Sequence, residues 1–434
     1  MRVFLFLVFL TLAQSGRAVT TSEEGEDPRP NILLLVADDL GYADLGYYGG
    51  DIETPHIDAL AARGLRFSRF HTAALCAPTR SMLLSGNDNH IAGMGIQHNG
   101  ADEFCYEGHL TDRIVPVPQS LRDAGYHTYM AGKWHLGYKP EHNPHRKGFE
   151  HSFVNLDGAG NHYDDQGWEE GIPIARYTED CRKAGWPKGT YSTDLFTDKI
   201  IGYIDRHADD GKPFFAFAAY TSPHWPLQVD EPYWRKYEGR YDEGYEVLKM
   251  RRMESLKKAG MIPEDAVIPP PHDRVKPWDS LSPDEQEMEA RKMELYAGMV
   301  DNLDHNIRRM ITYLKSIGEY ENTLIVFMAD IGAAAEDFYY ADWSKDFVQA
   351  HFNHDYDRMG KPDSFISYGP QWAEAGSAPF RYFKGQTTEG AFTAPMLMSG
   401  PGVEPTGGIH HGFTTLMDMA PTFYEIAETD YPAE

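Results

Sequence analysis

The sequence predicts an α/β protein: a large, mostly parallel central sheet with helices on both faces. Three observations predict it. Short apolar or β-branched runs recur at wide intervals, amphipathic helical patterns lie between them, and no solenoid repeat or low-complexity tract breaks the alternation. A chain of 434 residues, 41% hydrophobic and 13% aromatic, is long enough for one large core or two smaller ones.

The strands come first. The segments 31–37 (NILLLVA), 126–131, 214–220 and 323–329 are short apolar or β-branched runs, the pattern of strands buried on both faces. Between them, TPHIDALAARG (54–64) starts on a capping residue, carries Pro55 in its first turn and stops at Gly64. Ser282, Pro283 and Glu285 form a capping-box start. Behind it, Leu295, Met299, Leu303, Ile307, Met310 and Leu314 make one apolar stripe that Gly318 ends, a core-packing face. From about 230 to 280 the composition turns to charges, tyrosines and prolines, which reads as a surface excursion within a single catalytic domain spanning 28–434.

The N-terminus is different in kind. Met1-Arg2 precedes VFLFLVFLTLA, a short apolar run, and then small residues at Gly16 and Ala18. This is the pattern of a signal peptide over 1–18, cleaved after Ala18, which implies a secreted or periplasmic protein with no membrane span after cleavage. No Asn-X-Ser/Thr sequon occurs, which fits a bacterial periplasmic or secreted protein better than a heavily N-glycosylated one. A net charge of −26 argues against nucleic acid as a partner, since phosphate binding needs a basic face. A small anionic substrate would need basic residues gathered in a pocket. Of the three cysteines, Cys105 and Cys181 could pair or stay free in an oxidising compartment.

Ligands of parallel α/β sheets bind beyond the carboxyl ends of the strands. Those ends carry Asp38-Asp39, then GKWH with Lys133 and His135, then SPH with His224, then Asp330. Each alone is ordinary: paired acids often form a solvated turn, and a single His or Lys is usually a surface or satisfied core residue. Their shared location suggests a site, and three carboxylates are hard donors suited to Ca²⁺ or Mg²⁺. The segment LCAPTRSMLLSG (75–86) places Cys76 four residues before Arg80; on chemistry alone the thiol is a small buried hydrophobe, half a disulfide, or a nucleophile near a cation.

C-A-P-T-R followed by L-S-G resembles the signature of the type I sulfatases, the arylsulfatase group of the alkaline phosphatase superfamily. The resemblance continues through RPNILLLVADDLGYADLG, AGKWHLG, SPHWPL, SYGPQWA, FRYFKGQTTEG and TTLMDMAPTF, in order, over the whole mature chain. It implies an alkaline-phosphatase-like fold and hydrolysis of aryl or carbohydrate sulfate esters. It further implies that Cys76 is oxidised to formylglycine by a maturation enzyme. By the same pattern, Asp38, Asp39, Asp330 and residue 76 would ligate Ca²⁺, or Mg²⁺. Arg80 would lie beside residue 76, Lys133 and Lys384 would hold sulfate oxygens, and His224 would protonate the leaving oxygen. His135 would help release sulfate.

Three positions depart from the pattern. Ile331 stands where the family has Asn or Gln as a further metal ligand. Thr393 stands for an arginine in the segment EGAFTAP. The chain also stops soon after TTLMDMAPTF, so the small C-terminal sheet of relatives is expected to be largely missing. The alternative reading is therefore a catalytically impaired pseudo-sulfatase that binds a sulfated ligand or partner, or has no function. Phosphoryl transfer within the superfamily is a third reading, in which C-A-P-T-R has no role.

Overall fold

The computed structural model describes residues 27–97 and 100–432. The signal peptide expected over 1–18 lies outside the described residues. A ten-stranded sheet forms the centre of the molecule, flanked by helices. At its middle lie, side by side, the strands Thr323–Ala329, Asn31–Ala37, Phe214–Ala219, His127–Lys133 and His151–Asn155, all parallel. Met396–Ser399 adds an antiparallel strand beyond Thr323–Ala329. Among the described residues, no helix is long and apolar enough to cross a membrane.

Register determines what happens at the carboxyl ends. Ala37 pairs with Ala329, Val36 with Ala219, and Ala219 with Gly132. The residues that follow each strand therefore emerge at one level. The Asp330 N–H donates to the Ala37 carbonyl at 3.0 Å, and the Asp38 N–H to the Ser222 carbonyl at 3.1 Å, extending the ladder into the loops.

Two expectations are corrected here. The second strand runs to Lys133 rather than stopping at Ala131, so Lys133 is a strand residue pointing into the protein. Gly132 permits the extension: its φ is +117°, and a Cβ there would lie 1.8 Å from the Ala219 carbonyl oxygen. The charged stretch from 230 to 280 is not all surface either. It contains the helix Tyr245–Lys258, whose buried Arg252 pairs with Asp44 and Asp51 behind the first strand. Polar composition hid this anchor because its partners lie about two hundred residues away.

The helix Pro283–Ser316 begins on the expected capping box, with the Ser282 side chain accepting from the Glu285 N–H and Glu285 returning to the Ser282 N–H. Its predicted stripe is fully buried, and Gly318 follows in the left-handed region at φ +81°. Cys76, Cys105 and Cys181 are all free thiols.

Candidate active site

Asp38, Asp39, Lys133, His224 and Asp330 are brought to one place with Cys76, Arg80 and Lys384, and each is buried. Cys76 opens the helix Cys76–Ser85, so the unsatisfied N–H groups and positive dipole end of that helix face the site. Arg80, one turn on, lies on the same helical face. The Thr79 hydroxyl accepts from the Ala73 N–H at 3.0 Å and so fixes the entry into this helix.

Around the thiol the charges form a closed set. Lys133 Nζ donates to both Asp38 oxygens, at 2.6 and 2.9 Å. Arg80 donates from Nε and Nη2 to Asp330 Oδ2, at 3.0 and 2.7 Å, and from Nη1 to the Lys133 carbonyl at 2.9 Å. Lys384 Nζ bridges Asp39 Oδ2 at 3.0 Å and Glu336 Oε1 at 3.2 Å. The Cys76 Sγ approaches Asp38 and Asp39 at 3.7 and 3.8 Å. Burial works against the charge on both lysines, yet Asp38 and Asp39 overcome it and raise them above the ordinary lysine range. Burial, aided by Asp330 and Asp39, pushes the Cys76 thiol up, against the pull of the lysines.

His224 sits in its own frame. Its Nδ1 must be the donor to the Trp225 carbonyl at 2.8 Å, because a carbonyl can only accept. Burial, then Lys133 and Lys384, holds the ring well below the usual histidine range. The neutral ring therefore turns its Nε2 lone pair toward Asp39 Oδ2, 3.3 Å away. Two acceptors face each other there, an arrangement that calls for a proton or a metal cation. Asp38, Asp39, Cys76 and His224 each offer a ligand atom, all within 4.8 Å of one another. The acidic cluster thus fits a metal ion. Asp330 joins the same set: Oδ2 accepts from Arg80, and Oδ1 accepts from the Asp39 N–H at 3.3 Å.

His135 takes a left-handed backbone, φ +59°, at 4% exposure. It is packed against Gly158, where a Cβ would come within 2.4 Å of its Nδ1. Ile331 is fully buried yet packs into neither of the two apolar clusters. Thr393 donates to Glu389 Oε2 at 2.8 Å, an acceptor shared with His71.

Two contributors escaped the sequence reading. Glu336 pairs with Lys384 from the loop after the fourth central strand, six residues past Asp330. His162 donates from Nε2 to the His224 carbonyl at 3.1 Å and accepts from the Ser192 hydroxyl at 2.6 Å, held neutral by burial at about 4. Neither lies in a recognisable motif, since their partners meet them only in the fold.

The sulfatase family profile matches residues 30–429. The chain belongs to the sulfatase family. An uncharacterised sulfatase of Schizosaccharomyces pombe is 42% identical over 433 residues, covering 95% of this chain and 77% of that protein. An arylsulfatase of Klebsiella aerogenes is 37% identical over 418 residues, covering 93% of this chain and 88% of its relative. This likeness over most of both sequences makes the chain a sulfatase enzyme, a sulfuric ester hydrolase. The crystal structure of Ps i-CgsB with a neocarrahexaose superposes with a TM-score of 0.65, covering 93% of this chain and 73% of that one. At 24% identity it shows the shared alkaline-phosphatase-like sulfatase fold.

Proposed function

We propose that this sulfatase hydrolyses aryl or carbohydrate sulfate esters as a secreted or periplasmic enzyme. Cys76 would be oxidised to formylglycine by a maturation enzyme, and Ca²⁺, or Mg²⁺, would be held by Asp38, Asp39, Asp330 and residue 76. The observation that carries the reading is the position of Cys76, a thiol kept protonated by burial at the convergence of all the charged groups. A protonated thiol is a poor nucleophile. The hydrated aldehyde would supply a hydroxyl nucleophile, and the divalent ion would lower its pKa and offset negative charge.

The remaining work falls to this chain's own side chains. Lys133 and Lys384, now paired with Asp38 and Asp39, would hold sulfate oxygens, with the N-terminus of the helix Cys76–Ser85 adding positive potential. Such donors matter most where charge develops on the departing oxygen. His224 would first take up a proton on Nε2, which faces Asp39, and then pass it to that oxygen, and His135 would take up the proton whose loss frees sulfate. Beyond Glu336 a cavity of about 800 Å³ opens, walled by Phe338, Tyr340, Trp343 and Lys292. Tyr340 and Trp343 are 62% and 61% exposed, flat surfaces on which an aryl or sugar ring can stack.

One observation favours the second reading, a pseudo-sulfatase that binds without turnover: buried Ile331 brings no oxygen to the metal pole. Mass spectrometry of the Cys76 peptide from the native organism, paired with an aryl sulfate assay, separates the two. The expected result is an aldehyde at residue 76 and hydrolysis that chelation removes and Ca²⁺ restores. Formylglycine-bearing protein that turns nothing over at saturating Ca²⁺ would establish the second reading instead.

A further inference from the structure

At the opposite end of the His127–Lys133 strand lies a second group of ligating side chains. Lys133 is six steps along the strand from His127, which puts the two ends about 20 Å apart. His127 Nε2 lies 2.7 Å from Asp210 Oδ2, and His207 Nδ1 lies 3.8 Å from the same oxygen. The three ligand atoms all fall within 4.8 Å of one another. Zinc–ligand bonds of about 2.0–2.1 Å at tetrahedral angles place ligand atoms roughly 3.3 Å apart, which these spacings bracket.

The surroundings match what a metal-bound histidine needs. His127 Nδ1 meets Glu150 Oε2 at 2.7 Å, which fixes the ring and leaves Nε2 as the ligating nitrogen. The His127 and His207 rings stack with centroids 4.3 Å apart, so both can present an edge nitrogen to one point. Tyr129, fully buried, packs its ring about 6 Å from those of His127 and His207. Its hydroxyl has no hydrogen-bond partner among the described residues, and the acids whose charge it feels are Glu150 and Asp210. A buried, unpartnered hydroxyl on a ring that stacks with both imidazoles points to a ligand.

We propose that His127, His207 and Asp210 form a second metal site, for a divalent transition ion of the zinc type, at the sheet end remote from the catalytic groups. Two imidazoles and one carboxylate select such an ion over Ca²⁺, which prefers an all-oxygen shell. His207 and Asp210 are partly open to solvent, so the ion has a path in.

The test is a Zn²⁺ titration of the stripped full-length mature chain with Ca²⁺ in excess, by competition with a chromophoric chelator. Wild type is expected to bind one Zn²⁺ that H207A does not, and E150A to bind it about 10–100-fold more weakly. Co²⁺ in place of Zn²⁺ should give a visible absorption band that H207A lacks. Circular dichroism of H207A checks that its fold is kept, and E150A, which removes no ligand, gives an independent reading. Identical Zn²⁺ stoichiometry and affinity in wild type and H207A would overturn the site, leaving His127 a ring clamped between two carboxylates.

Discussion

The strands Asn31–Ala37 and Thr323–Ala329 are neighbours in register, both fully buried, and each is followed at once by an aspartate. Their first acids are treated alike: Asp38 is neutralised by Lys133, and Asp330 by Arg80. The next position separates them. Asp39 enters the left-handed region at φ +64° and reaches Lys384 and His224. Ile331 stays buried and offers no donor. The first acid after each strand thus pairs with a cationic side chain in a charge frame, and in the proposed reading the second position sets whether a further oxygen would reach the metal pole.

The largest expected effect tests the working side of that comparison. Asp39→Ala should reduce sulfate-ester hydrolysis by about a hundred- to a thousandfold, roughly 3–4 kcal/mol, with the circular dichroism spectrum intact. A loss within tenfold would break the distinction between frame and pole. Asp330→Asn should act on the frame, leaving the buried Arg80 guanidinium without its carboxylate. Urea denaturation should then show a loss of about 3–5 kcal/mol.

Ile331→Asn sharpens the comparison from the other side. Without metal it should destabilise by about 1–3 kcal/mol, because a polar amide replaces an apolar side chain in a closed space. Calcium should recover that loss, bind more tightly and raise the rate; calorimetry showing unchanged Ca²⁺ affinity would remove position 331 from the metal pole. Thr393→Ala is the mildest. It deletes one hydrogen bond to Glu389, costing about 0.5–1.5 kcal/mol in thermal denaturation, with kcat unchanged.

These contrasts also show what the sequence could reveal. The two acid-ending strands were legible to the residue, because continuous apolar runs and abrupt charges leave little choice of boundary. The helix Pro283–Ser316 was legible from its capping box and stripe. Lys133 was not legible as a strand residue, since a lysine ends an apolar pattern unless a buried carboxylate awaits it. Arg252 was lost in a charged stretch for the same reason. Of the site residues carried by the family resemblance, Asp38, Asp39, Cys76, Arg80, Lys133, His224, Asp330 and Lys384 lie in one connected cluster. Glu336 and His162 did not announce themselves, because a pairing with Lys384 or with the His224 carbonyl exists only in three dimensions.

The lysines of the charge frame have one more consequence. Lys133 and Lys384 each occupy a carboxylate that a divalent cation would claim. Cation uptake would therefore weaken two ammonium–carboxylate pairs and release positive charge toward an arriving sulfate group. Cation and anion then bind with a shared coupling free energy, and reciprocity requires each to tighten the other by the same factor. On that basis inorganic sulfate should raise the affinity for Ca²⁺, so that the protein senses its two ligands as one electroneutral event.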